Sequence, residues 1–254
     1  MAVPNDALWP DRVAQINLTL PTLSANLALD ESLLQAVDAN LNTAYLRIWE
    51  ANDYAVILGR SNRPETEVLV DACVADRVPI VRRVSGGGAV VIGPGCLCYA
   101  LVLPLTSHHK TLGVPGVTGP LMRRSADGLN KFISGVNVSG TSDLVWNGLK
   151  VSGNAQRWSR NAFIHHGTIL YAFDLDRVGR YLAHPSREPN YRQSRRHVEF
   201  ITNLPLDTSA IQNGLGQAWR GDPVDCPMPL VDAADAIADS RRGQTEWQVF
   251  LPAN

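Results

Sequence analysis

The sequence predicts a mixed domain of helices and strands, of the α/β or α+β kind, on three observations. Its 254 residues are the size of one large domain or two small ones, and chains of this length often form a single mixed unit. Hydrophobic residues make up 45% and charged residues 19%, ample material for a packed core and unlike a disordered chain. Helix-like and strand-like patterns follow one another with no repeat, low-complexity tract or linker, so one domain over residues 1–254 is expected.

The elements follow in order. LSANLALDESLLQAVDA, from Leu23 to Ala39, spaces Leu27, Leu33, Leu34 and Val37 along one helical face. AYLRIWE and YAVILGR are strands around the turn formers Asn52 and Asp53. TEVLVDACVADRV suits a short helix, and PIVRR then delivers a strand into a glycine run that an apolar strand follows. CLCYALVLPL, continuously apolar and aromatic, is a buried strand. TGPLMRRSADGLNKFI is an amphipathic helix with Leu121, Met122, Leu129 and Phe132 on one side. LVWNGLKVSG is a hairpin, because Asn147-Gly148 is the preferred pair for a tight turn with two positive φ angles. FIHHGTILYA is a strand and LDRVGRYLA a helix. HPSREPNYRQSRRHVEF, polar, basic and weakly periodic, is an ordered surface loop, and the helices SAIQNGLGQAW and LVDAADAIADSRR close the chain.

Composition excludes several classes. A net charge of −1 argues against a general nucleic-acid binder, which needs surplus Lys and Arg to displace counterions. No apolar run approaches the ~18 residues of a membrane span. The N-terminal MAVPNDALWPDRV lacks the basic-then-apolar layout of a secretory signal. Four cysteines, Cys73, Cys96, Cys98 and Cys226, are too few and irregular for a disulfide framework. A cytoplasmic location is the resulting expectation.

Four constellations carry chemistry. In RRVSGGGAV, glycines let a backbone approach a ligand and turn successive N–H groups toward an anion, and Arg82 or Arg83 can add a charge-assisted contact. A tight turn between two strands accounts for the same residues, and neither a Walker loop nor a G-x-G-x-x-G spacing is present. In NGLKVSGNAQR, Lys150 is either a strand lysine aimed inward at an anion or an exposed one. In HHGTIL, His165 and His166 point to opposite faces of a strand and cannot share one metal ion. No metal site is expected; one histidine faces a pocket and the other supports the fold. Cys96 and Cys98 share a face at period two, as an acyl-carrying thiol or as small buried apolar residues.

The order RRVSGGGAV, SDLVWNGLKVSGNAQR, HHGTIL resembles the lipoate–protein ligase A family, within the wider biotin and lipoate ligase superfamily. The likeness begins at NLALDESLL and runs through LRIWEANDYAVILGRSN to YLAHPSREPNYRQSRRHVEFITNL, roughly residues 20 to 220. It implies an α+β fold with a mostly antiparallel central sheet flanked by helices. It implies adenylation of lipoate or octanoate with ATP and magnesium, then transfer to a lysine on a lipoyl domain. The acceptors would be the E2 component of 2-oxoacid dehydrogenases or the glycine cleavage H protein. By the same resemblance Lys150 is the catalytic lysine. Arg83, Ser85, Gly86, Gly87, Gly88 and Ala89 form a loop along the acyl and adenylate groups, with the arginine facing their negative groups. Asp143, Ser152, Gly153, Ala155 and Arg157 form the nucleotide side, and His166, Gly167 and Thr168 the strand that closes the pocket.

The chain departs from the family pattern at Ile92, where many relatives carry histidine, at Cys96, often asparagine, and at Thr141-Ser142, usually Arg-Asn. It is expected to lack the C-terminal accessory domain of two-domain ligases and to act with a separate accessory protein or on preformed acyl-adenylate. Two alternatives stand beside ligation. An octanoyl or lipoyl transferase would need a cysteine thioester, and neither VSGTSDLVW nor the residues after HHGT supply one, leaving Cys96 and Cys98. A non-catalytic lipoate-binding homologue is opposed by Lys150.

Overall fold

The computed structural model describes residues 8–40, 43–185 and 188–252. Residues 1–7, part of the stretch read above as free of a secretory signal, and Ser186 and Arg187 of the predicted polar loop lie outside the described residues.

Along the chain come β1 (Val13–Asn17), α1 (Leu23–Ala39), β2 (Tyr45–Glu50), β3 (Ala55–Leu58), the short helices α2 (Pro64–Glu67) and α3 (Val70–Ala75), β4 (Ile80–Arg82), β5 (Val90–Ile92) and β6 (Cys96–Pro104). Next are α4 (Ser107–Leu129), β7 (Val136–Ser139), β8 (Asp143–Trp146), β9 (Leu149–Ser152), β10 (Asn154–Trp158) and β11 (Ala162–Leu170). The last part holds α5 (Asp176–Tyr181), a 3-10 turn at Asn190–Arg192, α6 (His197–Phe200), α7 (Thr208–Trp219), β12 (Gly221–Pro223), α8 (Met228–Ser240) and β13 (Gln248–Phe250).

The strands form three sheets, in the orders β10-β11-β6-β2-β1-β12, β13-β4-β3-β5 and β7-β8-β9. Seven of the ten pairings among the described residues are antiparallel, so the expected mostly antiparallel α+β architecture forms, divided over three sheets. Two of the parallel pairings have a local cause. α1 is the crossover from β1 to β2, and α2 with α3 the crossover from β3 to β4, as parallel neighbours require. The turn at Asn52-Asp53 therefore does not pair its flanking strands. It passes the chain from the six-stranded sheet into the four-stranded one.

β6 explains its own composition, because both of its faces are covered. Ala100 and Val102 meet Leu29, Leu33 and Val37 of α1, while Tyr99, Leu101 and Leu103 meet Leu121 and Met122 of α4 and Leu215 of α7. Each fully buried leucine contributes about 1.5–3 kcal/mol of transfer free energy. α1 begins where Thr22 accepts a hydrogen bond from the Ala25 amide at 3.1 Å. It is clamped to the sheet by the buried Arg47 of β2, whose Nη1 reaches Asp30 Oδ1 at 2.6 Å and whose Nη2 reaches Asn26 Oδ1 at 2.6 Å.

Several elements differ from expectation. α4 starts earlier than the amphipathic pattern, at a Thr106 cap, and bends at Gly113. Phe132 lies beyond its end and is 40% exposed, not part of its buried side. The predicted helix over TEVLVDACVADRV is two short ones, with Pro64 opening the first. After α8 the chain adds β13, whose pairing with β4 places Arg82 Nε 2.9 Å from the Glu246 carbonyl. No helix among the described residues is long and apolar enough to cross a membrane.

α4 and α7 cross with Gly128 against Gly214: a Cβ on Gly128 would stand 2.2 Å from the Gly214 carbonyl oxygen. Gly128→Ala is therefore expected to lower stability by about 1–3 kcal/mol through overpacking, read by thermal or urea denaturation. An unchanged midpoint would contradict this close crossing.

Candidate functional site

The β8–β9 hairpin turns at Asn147 (φ 51°) and Gly148 (φ 77°), the geometry the Asn-Gly pair predicts. In its register Lys150 lies opposite Val145, and the pairing shifts before Leu144 meets Ser152. The Lys150 ammonium lies 2.9 Å from Asp143 Oδ1, with its side chain 27% exposed. The second oxygen, Asp143 Oδ2, accepts from Tyr191 Oη at 2.7 Å. The ammonium is held against Gly153, where a Cβ would come within 3.0 Å of Nζ; glycine at that position leaves the lysine its space. Lys150 is further tied by its own carbonyl, which accepts from the Thr202 amide at 2.9 Å.

The glycine loop leaves β4 at two arginines with opposite tasks. Arg83 is buried, and its guanidinium lies inside the loop. Nε donates to Ser85 Oγ at 3.0 Å, Nη1 to the Ile57 carbonyl at 3.3 Å, and Nη2 to the carbonyls of Gly86 and Gly88 at 2.6 and 2.8 Å. Burial lowers its pKa to about 10, so it is still charged at neutral pH. Arg83, expected to face a ligand's negative groups, lines the cavity and uses most of its fork to shape the loop from within. Arg82 turns the other way, to the carbonyls of Gly59 at 2.9 Å and Asn62 at 2.7 Å. Arg157 of β10 donates to the Val84 carbonyl at 3.0 Å and fastens the loop's base.

The two histidines of β11 point to opposite faces, as strand alternation requires. His166 Nε2 is hydrogen bonded to Ser85 Oγ at 2.5 Å, and its Nδ1 lies 3.6 Å from Asp30 Oδ2. His165 is fully buried between Gln156, at 3.0 Å, and Tyr99, at 3.4 Å. Desolvation and the neighbouring His166 drive its pKa down to about 3, which keeps the ring neutral.

These elements enclose a cavity of about 480 Å³. Its wall includes Lys150, Asp143, Ser152, Gly153, Ala155, His166, Gly167 and Thr168, together with Arg83, Gly88 and Ala89 of the loop. Ser85, Gly86, Gly87 and Arg157 are not in the wall: Ser85 and the Gly86 carbonyl bond Arg83, Arg157 bonds the Val84 carbonyl, and Gly86 and Gly87 are exposed. One part of the lining is apolar, with Leu27, Trp49, Ile57, Val91 and Leu170, and another carries Asp143, Lys150, Glu188, Arg192 and His197. Such a slot accepts a molecule with a hydrocarbon body and an anionic head.

Sequence reading missed part of this wall. The segment expected to be a surface loop instead closes the cavity with Pro185, Glu188, Arg192, His197 and Phe200, and bridges Ile201 to Lys150. The aromatic Tyr191 and Phe200, set in an otherwise polar segment, were the available signal. Asp30, Tyr99 and Asn154 also line the cavity, reached from α1 and the large sheet; Asp30 and Asn154 lie within the quoted NLALDESLL and NGLKVSGNAQR but were not singled out there. Cys98 lines it too, but its hydrogen bond with Cys96 and its burial hold the thiol well above the ordinary range. That is the opposite of an activated nucleophile.

The chain matches the family model of the lipoyl protein ligase A/B catalytic domain over residues 22–207. It is 30% identical over 161 residues to the probable lipoate-protein ligase A of Mycoplasma genitalium, covering 62% of this chain and 45% of that protein. The chain thus spans about half the length of the curated relatives it matches. Among solved structures it resembles a bi-partite lipoate protein ligase described with its E2 lipoyl domain from Thermoplasma acidophilum. That match has TM-score 0.80 and 19% identity, over 96% of this chain and 98% of the other. It also resembles a lipoate-protein ligase A bound with ATP, with TM-score 0.73 and 19% identity over 93% and 98% of the two chains. These structural likenesses show the fold.

Because one ammonium cannot bond four spread acceptors, Arg83→Lys is expected to release the loop. Hydrogen exchange at the amides of residues 86–89 should quicken by about tenfold or more, the loss of one to two charge-assisted bonds. Unchanged protection would show that the loop does not depend on Arg83.

Proposed function

We infer the activity from one premise: the chain belongs to the lipoyl protein ligase A/B catalytic domain family. On that premise it is a lipoate–protein ligase that joins lipoate or octanoate to AMP and passes the acyl group to a lysine of a lipoyl domain. The observation that carries this reading is Lys150, an ammonium beside Asp143 in the wall of a cavity whose lining is apolar along Leu27, Trp49, Ile57, Val91 and Leu170.

In the first half-reaction the acid's carboxylate oxygen attacks the α-phosphorus of ATP, the bond to the β-phosphate oxygen breaks, and pyrophosphate leaves. Negative charge gathers on the α-phosphate's outer oxygens. Lys150, released from Asp143, meets that charge and the acyl carbonyl oxygen. In the second half-reaction the neutral amine of the acceptor lysine attacks the acyl carbon, AMP departs with the bonding pair, and the proton lost from the amine passes to the departing phosphate or to water. Here too the same ammonium stabilises the developing oxyanion. The hydrocarbon chain lies along Leu27, Trp49 and Ile57, each buried methylene contributing about 0.8 kcal/mol. Magnesium would arrive on the triphosphate's oxygens, a hard cation that keeps much of its water. Asp143 and Glu188 are carboxylates in the polar part of the cavity wall that could share its charge.

The acceptor in this reading is a lipoyl domain of an E2 component or of the glycine cleavage H protein, in the cytoplasm. The E2 arm is supported by the Thermoplasma acidophilum ligase, described with such a domain. That ligase is also described as bi-partite, which supports the reading that the catalytic domain here acts with a separate accessory protein. Transfer through a cysteine thioester is the weaker reading, given the raised Cys98 thiol.

Acid-dependent exchange of label between pyrophosphate and ATP tests the assignment. Wild type should exchange with lipoate or octanoate, and Lys150→Ala should lose at least about a hundredfold in rate with its melting midpoint preserved. Undiminished exchange in the variant would refute the role given to Lys150.

A further inference from the structure

Asp143 serves two partners, Lys150 and Tyr191 of the strap that residues 188–202 lay across the cavity, yet the β8–β9 ladder does not reach it. That ladder shifts between Val145–Lys150 and Leu144–Ser152, its last pair on this side, and Asp143 pairs with Ser139 of β7. A side chain closes the gap. Asn154, the first residue of β10, donates from Nδ2 to the Ser142 carbonyl at 2.6 Å and to Ser152 Oγ at 3.0 Å. Ser142 Oγ returns a bond to the Asn154 carbonyl at 2.9 Å. One carboxamide thus ties the residue before Asp143 to the end of the strand that bears Lys150. Gly167 makes room for it, since a Cβ there would collide with Asn154 Oδ1.

The carboxamide is itself fixed from across the sheet. Its Oδ1 accepts from Tyr99 Oη at 2.6 Å; turned over, it would set Oδ1 against the Ser142 carbonyl, acceptor against acceptor. Burial raises the Tyr99 phenol, so its single proton stays in place for Asn154. Behind Tyr99 lies His165 Nε2, at 3.4 Å. Gln156 sets the tautomer of that ring. Its Oε1 accepts from the Trp158 indole at 3.0 Å, an N–H that can only donate, so its Nε2 meets His165 Nδ1 at 3.0 Å and Thr118 Oγ1 at 3.1 Å. His165 Nδ1 therefore accepts, and the proton of the neutral ring sits on Nε2, facing Tyr99. The chain Gln156, His165, Tyr99, Asn154 runs in one direction, from α4 to Ser142. Tyr99 and His165 are buried, where a half-made polar network would be costly. The chain ends in the cavity wall, at the stretch that holds Ser142, Asp143 and Lys150.

We propose that Asn154 is a positioning residue: it sets Asp143 and, through Asp143, the place of the Lys150 ammonium. The proposal rests on the ligase reading, in which that ammonium meets charge that develops as the acid is activated. A group with such a task has to be held within about half an ångström of its productive place, by side chains that are themselves locked. Losing the lock weakens stabilisation of the transition state more than it weakens binding of the acid, so the effect falls on kcat.

The test uses the full chain. Asn154→Leu keeps the size of the side chain and removes its three bonds. Lipoate-dependent exchange between pyrophosphate and ATP should then lose at least about tenfold in kcat, with the KM for lipoate within about threefold. Hydrogen exchange at the amides of residues 142–144 should quicken by about tenfold or more. Tyr99→Phe, which removes only the phenol's bonds, should show a smaller loss of the same kind, and the double variant should lose no more than Asn154→Leu alone. In an Asp143→Asn background, Asn154→Leu should cost less than about twofold, because its effect runs through Asp143. A merely structural role would cost the same in both backgrounds, and that result overturns the proposal. So does unchanged kcat and protection in Asn154→Leu, or a raised KM for lipoate with kcat intact, which would make Asn154 a direct contact of the acid. If Asn154→Leu does not fold, the kcat of Tyr99→Phe decides. A wild type without acid-dependent exchange, whose 142–144 amides still open in Asn154→Leu, would refute the ligase reading and leave Asn154 as the residue that places Asp143.

Discussion

One carboxylate organises this cavity. Asp143 gives one oxygen to the Lys150 ammonium and the other to Tyr191 of the strap. Through it the hairpin that supplies the lysine and the segment that covers the cavity are tied at one point. The pair is partly buried, where an ion pair is neither screened away nor so desolvated that it must be permanent. An ammonium in that setting can be handed from its own carboxylate to a ligand's oxygen at modest cost. The tight fit at Gly153 and the Asn147-Gly148 turn both serve to keep Nζ in that place.

The arginines work on the backbone. Arg47 bonds the carbonyls of Asn26 and Leu18, besides the Asp30 carboxylate, to hold α1 on the large sheet. Arg82 gathers the carbonyls of Gly59, Asn62 and Glu246, and Arg83 those of Gly86 and Gly88. The glycine loop is therefore stiff where its composition suggests freedom, because a buried fork fills its concave side. His166 continues the same framework, from Ser85 in the loop toward Asp30 on α1. Loop, sheet and first helix are thus one connected polar scaffold around an apolar slot.

Much of this was legible in the residues, and the failures have physical causes. α1, β6 and the hairpin were clear because each signals through a local pattern: helical spacing, a continuous apolar run, and an Asn-Gly pair. β10 and β12 carry no such signal. NAQRW is polar because it forms the sheet edge and part of the cavity side, and GDP is three residues recruited by β1. The strap was taken for a surface loop because its basic residues dominate its composition, whereas its placement depends on Tyr191, Phe200 and the Lys150 carbonyl. Arg83 was assigned to a ligand because a charge beside glycines suggests one; that it faces its own loop is a tertiary fact that no spacing encodes.

The central claim is that Lys150 exchanges Asp143 for its ligand. A crystal structure of the chain with lipoate and a non-hydrolysable ATP analogue measures this directly. The account predicts Lys150 Nζ within hydrogen-bonding distance of a carboxyl or α-phosphate oxygen and clearly displaced from the 2.9 Å contact with Asp143. An occupied cavity in which that contact persists, with no ligand oxygen on the ammonium, would contradict it.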